Sequence, residues 1–150
     1  MMTMDESLSL FGLTPPELAL PQIRAILDRE AEIERNHYSK DPARQNDERQ
    51  RAEDLALISA VQLFAAGHLE DVLRIWDTKQ TSMDMACALD VQLLCGGGLE
   101  QTKSYLSTLA SENAQEALKY IGECELTGDF DNFTPDAHLE RYRIYFGGDQ

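Results

Sequence analysis

A ten-residue phrase occurs twice in this chain, thirty residues apart. Val61-Gln62-Leu63-Phe64-Ala65-Ala66-Gly67-His68-Leu69-Glu70 returns as Val91-Gln92-Leu93-Leu94-Cys95-Gly96-Gly97-Gly98-Leu99-Glu100. Valine, glutamine, leucine, glycine, leucine and glutamate recur in register. Each copy reads as the end of one apolar helix, a glycine turn and the start of another. Such a unit cannot bury its apolar face alone, so residues 61–106 predict stacked helical hairpins. The repeat constrains architecture and names no activity.

The rest of the chain agrees with an all-α reading. Residues 1–13 are read as a short lead whose Leu8, Leu10, Phe11 and Leu13 dock on the body, with the first few residues fraying. Thr14-Pro15-Pro16-Glu17 has the pattern of a capping box, and Pro21 forces a brief turn and a fresh helix start. Ile23, Ile26, Leu27 and Ala31 then mark one apolar stripe, with Glu30, Glu32 and Glu34 off it. Asp41-Pro42 is another start signal. The polar stretch that follows, apolar from Leu55 onwards, predicts one long helix with a solvated first half and a buried second half, ended by Gly67; the alternative is a loop through about residue 46 and a shorter helix. Leu69, Val72, Leu73 and Trp76 form the next stripe, which leaves Ile75 off it.

Ser82 is read as the cap of a helix over residues 83–95. That segment is apolar on nearly every side and is expected to be the most buried. Leu99, Thr102, Tyr105, Leu106 and Leu109 follow the second turn. Ser111 caps a helix carrying Ala114, Ala117, Leu118, Ile121 and Cys124, and Thr134-Pro135-Asp136 opens the last one. No run alternates with period two for long, so no sheet is expected. The expectation is a single all-helical domain of about seven helices spanning residues 1–150.

Ala65-Ala66-Gly67-His68-Leu69-Glu70-Asp71-Val72-Leu73 resembles the second half of an ankyrin repeat, in which an alanine-rich inner helix meets a Gly-His-Leu turn and an outer helix. Residues 95–103 are a weaker copy. The period of thirty is shorter than the roughly thirty-three of ankyrin repeats, and the Thr-Pro-Leu-His opening is replaced by Thr-Ser-Met-Asp-Met-Ala. The length of the 83–95 segment suits tetratricopeptide-like or HEAT-like pairing better. The resemblance implies stacked helical hairpins and, by family habit, a binding module.

Charge is the compositional outlier. Thirteen basic against 27 acidic residues leave a net charge of −14. Such a field repels phosphate backbones and disfavours a nucleic-acid role. It attracts a basic protein and speeds that encounter. No stretch approaches the roughly 20 apolar residues of a membrane span, and no secretory leader is recognised, so a cytoplasmic location is expected. The odd count of cysteines (Cys87, Cys95 and Cys124) argues for reduced, packed thiols.

Sites of chemistry are sparse. Gly96-Gly97-Gly98 precedes a helix, yet Leu99-Glu100 stands where a phosphate loop wants Lys and Ser or Thr. Asp129-Phe130-Asp131 begins like a calcium loop, but Phe133 and Thr134 fall where a ligand and a glycine are needed. His37, His68 and His138 have no partner at metal spacing, so neither metal nor cofactor is expected. His138 shares a helix face with Tyr142 and Arg141. Asp84 and Asp90 are acids on an apolar segment, and a buried carboxylate there needs a partner, for which Arg74 or Lys79 is the candidate.

The expected binding residues are therefore Glu70, Asp71, Asp84, Asp90 and Glu100. The leading reading is a non-enzymatic binding protein whose acidic helical surface meets a basic partner; an inhibitor or immunity-type partner of a toxin or nuclease fits that description. The alternatives are a small-ligand binder or enzyme built on Asp84 and Asp90, and a self-associating homodimer. Charge reversal at Glu70, Asp71 and Glu100 is expected to weaken the partner without unfolding the domain.

Overall fold

The computed structural model describes residues 2–37 and 46–147; the Asp41-Pro42 start signal lies outside them. The described residues form eight α-helices and no strand. They are α1 (Met4–Phe11), α2 (Leu20–His37), α3 (Asn46–Ala66), α4 (Val72–Lys79), α5 (Met83–Ala88), α6 (Leu99–Ser107), α7 (Glu112–Leu126) and α8 (Pro135–Tyr145). Short 3₁₀ turns, Glu17–Ala19, Leu69–Asp71 and Val91–Cys95, precede α2, α4 and the second glycine turn. The all-α expectation holds, with one helix more than the sequence suggests.

The additional helix is α1, in the segment read as a lead. Thr3 and Glu6 close a reciprocal capping box at its start. It packs on α3, where buried Ser7 meets buried Gln62. The Gln62 amide donates to Ser7 Oγ at 3.2 Å and to the Gly12 carbonyl at 2.9 Å. Phe11 and Leu13 lie against the core, whereas Leu10 faces solvent.

The central element is α3. Every residue from 55 to 64 is buried, and α1, α2, α5, the Val91–Cys95 turn and α8 all pack on it. Fully buried Leu55, Ile58 and Leu63 each contribute about 1.5–3 kcal/mol by leaving water. This corrects the expectation that residues 83–95 form the most buried helix. That segment breaks: α5 ends at Ala88, Leu89 and Asp90 are extended, and a 3₁₀ turn carries Val91–Cys95.

Beside α3, α2 runs parallel to α4, and three ion pairs rise between them in order. Arg24 meets Asp71 at 2.9 Å, Arg74 meets Asp28 at 2.9 Å and Arg35 meets Asp77 at 2.8 Å. The inner face of α2 differs from its predicted stripe. Glu30 and Glu34 are buried while Ile26 is half-exposed. Glu30 is held by Arg51 at 3.3 Å, and Glu34 accepts the Ser82 hydroxyl at 2.6 Å. Ile75, read as off the α4 stripe, is as buried as Trp76. The Trp76 indole donates to Asn113 at 3.0 Å.

The two glycine turns of the repeat pack back to back. A Cβ on Gly67 would stand 3.3 Å from the Gly96 carbonyl oxygen, and one on Gly97 would stand 3.0 Å from that of Gly67. Gly67 also has φ +73, a left-handed turn that ends α3. Ser82, Ser111 and Thr134 each cap the helix that follows, as their positions predict. No described helix is long and apolar enough to cross a membrane.

Candidate functional site

The break after α5 creates the site. Lys79, itself buried, reaches the end of α5 and donates its ammonium hydrogens to the carbonyls of Ala86, at 2.5 Å, and Leu89. Those are terminal carbonyls that a helix end leaves without partners. The next residue, Asp90, takes an extended conformation (φ −68, ψ 152), and its carboxylate meets α8.

Two side chains one turn apart on α8 receive that carboxylate. His138 Nε2 lies 2.6 Å from Asp90 Oδ2, and the Tyr142 hydroxyl donates to Asp90 Oδ1. Burial alone would push the Asp90 carboxyl up. The hydrogen bonds from His138 and Tyr142 outweigh burial and hold it below the usual carboxylate range. Asp90 is therefore ionised, and His138 Nε2 is the donor in their contact. Burial, with the Asp90 charge beside it, pushes the Tyr142 phenol up. Burial likewise drives the Lys79 ammonium down, partly offset by the Asp90 charge.

The His138 ring is enclosed by Phe64, Phe133 and Tyr142, at centroid distances of 5.7, 5.8 and 5.4 Å. Only 7% of the residue is exposed, which suits an anchored donor better than a base that exchanges protons with a substrate. The Asp90 side chain keeps 34% of its surface. It opens into a cleft of about 500 Å³ walled in part by Gln92, Arg141 and Tyr145. An adjoining groove of about 190 Å³ shares Gln92, His138 and Arg141 with the cleft and adds Asp129 and Asp131.

The five acids expected to bind differ in their exposure. Asp71 is corrected outright: it is 1% exposed, accepts two hydrogens from Arg24 and a third from Arg74, and belongs to the fold. Glu70 is exposed at 3.5 Å from Arg24, and Glu100 is exposed at 3.5 Å from Lys103. Asp84 is half-exposed on α5. Of the five, only Asp90 lines the cleft. Neither Arg74 nor Lys79 pairs with Asp90 directly: Arg74 is taken by Asp28 and Asp71, and Lys79 by two carbonyls.

A second acidic feature escaped the sequence reading. Residues 112–136 carry seven acids against Lys119 alone. Glu112, Glu116, Glu123, Asp129, Asp131 and Asp136 are all exposed. Among the described residues only Glu125 of this set is in an ion pair, with Lys103 at 2.8 Å. The composition of the window was the available signal.

Cys87 is exposed, against the expectation of three packed thiols, while Cys95 and Cys124 are buried. Burial pushes the Cys95 thiol up to about 12. Among the described residues no three His, Cys, Asp or Glu side chains gather as a metal-binding group. Comparison with known proteins gives no lead: no family model matches the chain, and no significant match is found among curated proteins or solved structures.

Proposed function

We propose that this protein is a non-enzymatic binding module that meets a basic protein partner through the face formed by α7 and residues 127–136. The observation that carries the reading is a contrast in how acids are used. On α2, α4 and the turn that precedes α4 the acids are largely spent on arginines, as in the Asp71, Asp28 and Asp77 pairs. On residues 112–136 six exposed carboxylates stand with a single lysine in the window. Unpaired exposed carboxylates project a field that steers a cationic partner and is screened by salt. Leu126 stands among them, 89% exposed, and supplies apolar area at the end of α7. An inhibitor of a basic toxin or nuclease is one form such a module takes.

The test is affinity capture from a lysate of the source organism on immobilised protein. A basic protein retained at low salt and released at moderate salt is the expected result. The triple variant Glu112→Gln/Glu116→Gln/Glu123→Gln, altered only at exposed positions, should lose it. Retention that ignores both salt and the triple variant would sink the reading.

A further inference from the structure

We propose that the cleft over Asp90 is the socket for an arginine side chain of the basic partner, an inference that rests on the binding reading above. Three features of the cleft select that chemistry. The Asp90 carboxylate already accepts one hydrogen bond on each oxygen, from His138 and from Tyr142. A carboxylate offers about four lone-pair sites, so these two bonds do not fill it, and a third of the side chain is open to the cleft. Two parallel N–H groups of a guanidinium match two carboxylate oxygens, which a lysine ammonium cannot do.

The second feature is Tyr145. The residue is 66% exposed at the cleft wall, with its ring held edge-on to Tyr142 and Phe146. A guanidinium stacks on such a ring, worth roughly 0.5–1 kcal/mol at an exposed site and hence a two- to five-fold change in affinity. Leu57 and Ala88 provide apolar wall for the aliphatic stem. Third, the adjoining groove continues the negative field through Asp129 and Asp131.

Arg141 sets the sign of the test. It is exposed, it lines both the cleft and the groove, and it makes no ion pair among the described residues. A resident cation there competes with an incoming one. Removing it should tighten binding of a cationic partner and would abolish binding of an anionic ligand.

The experiment is fluorescence anisotropy with a fluorescein-labelled hexa-arginine peptide, with hexa-lysine as comparator, at low and moderate salt. Hexa-arginine should bind more tightly than hexa-lysine. Tyr145→Ala should weaken it roughly two- to five-fold, whereas Tyr145→Phe keeps the ring and the affinity. Arg141→Ala should tighten it by more than Arg143→Ala does. The second variant makes the same charge change on the same helix, where Arg143 pairs with Glu140 at 3.1 Å. Equal gains from the two arginine variants and no loss in Tyr145→Ala would overturn the socket. If the α7 triple variant still weakened the peptide, the acidic face would survive that result. Absence of salt-sensitive peptide binding would overturn both.

Discussion

His138 Nε2 lies 2.6 Å from Asp90 Oδ2, across 48 residues of chain. Tyr142, one turn further along α8, gives its hydroxyl hydrogen to the other oxygen. A single carboxylate thus ties the last helix to the break between α5 and the second glycine turn. Asp90→Ala removes both acceptors and leaves a buried imidazole and a half-buried phenol to be satisfied some other way. Hydrogen bonds to a charged group contribute about 1.5–3 kcal/mol, and the partial exposure of Asp90 favours the lower part of that range. Urea unfolding of Asp90→Ala, which loses two such bonds, should show a loss of about 3 kcal/mol, and Tyr142→Phe, which loses one, about 1.5 kcal/mol. Losses within about 0.5 kcal/mol for both would mean that α8 docks by apolar contact alone.

The same carboxylate has an acid-side signature. Its folded pKa is depressed below the ordinary 3.8, so the folded state holds the proton less tightly than the unfolded chain does. The stabilisation is complete above the unfolded value and is lost as pH falls through the folded one. The stability gap between wild type and Asp90→Asn should therefore close as pH falls below about 4. A gap that widened below about pH 4 would reverse the sign and show that the carboxyl is protonated more readily when folded.

Neighbouring acids on one 3₁₀ turn should behave oppositely. Asp71 is enclosed and accepts hydrogens from Arg24 and Arg74, whereas the Glu70 side chain is 66% exposed. Breaking a buried pair from one side typically costs about 3–5 kcal/mol, and the arginines here retain some solvent, so Asp71→Ala should cost about 3 kcal/mol. Glu70→Gln should fall within about 0.5 kcal/mol of wild type. Thermal melts of the two variants decide it, and equal small effects would restore Asp71 to the free surface.

Asp71 also marks where the sequence stops being informative. Local signals were legible: Ser82, Ser111 and Thr134 as caps and Gly67 as a helix end depend on residues within one turn. What was hidden depends on distant partners. Burial of Asp71 follows from Arg24, 47 residues earlier, and the Ser7–Gln62 bond that seats α1 spans 55. The break at Leu89 is invisible to periodicity because residues 83–95 are apolar on most sides. The ammonium that caps α5 belongs to another helix. Asp90, His138 and Tyr142 each stood out in the sequence, and helical spacing joins the last two, but nothing local joins them to Asp90.

Two glycines should respond to alanine in opposite directions. Gly96 has ordinary helical dihedrals (φ −61, ψ −28), so its role is space rather than conformation. A Cβ there would sit 2.4 Å from the Phe64 carbonyl oxygen and 2.8 Å from the Phe64 Cα, both backbone atoms of the most buried helix. Backbone cannot swing aside as a side chain does, so Gly96→Ala must push the second glycine turn off α3. The expected loss is about 3 kcal/mol, the upper end for overpacking. Gly122 lies inside α7, and a Cβ on it meets nothing within 4 Å. There alanine only removes backbone freedom from the unfolded chain, and Gly122→Ala should gain about 0.5–1 kcal/mol. Paired thermal melts give the answer directly: Gly96→Ala should melt lower and Gly122→Ala higher than wild type. If Gly96→Ala melted with wild type, the close approach of the two repeat copies would not be what the second glycine turn is for.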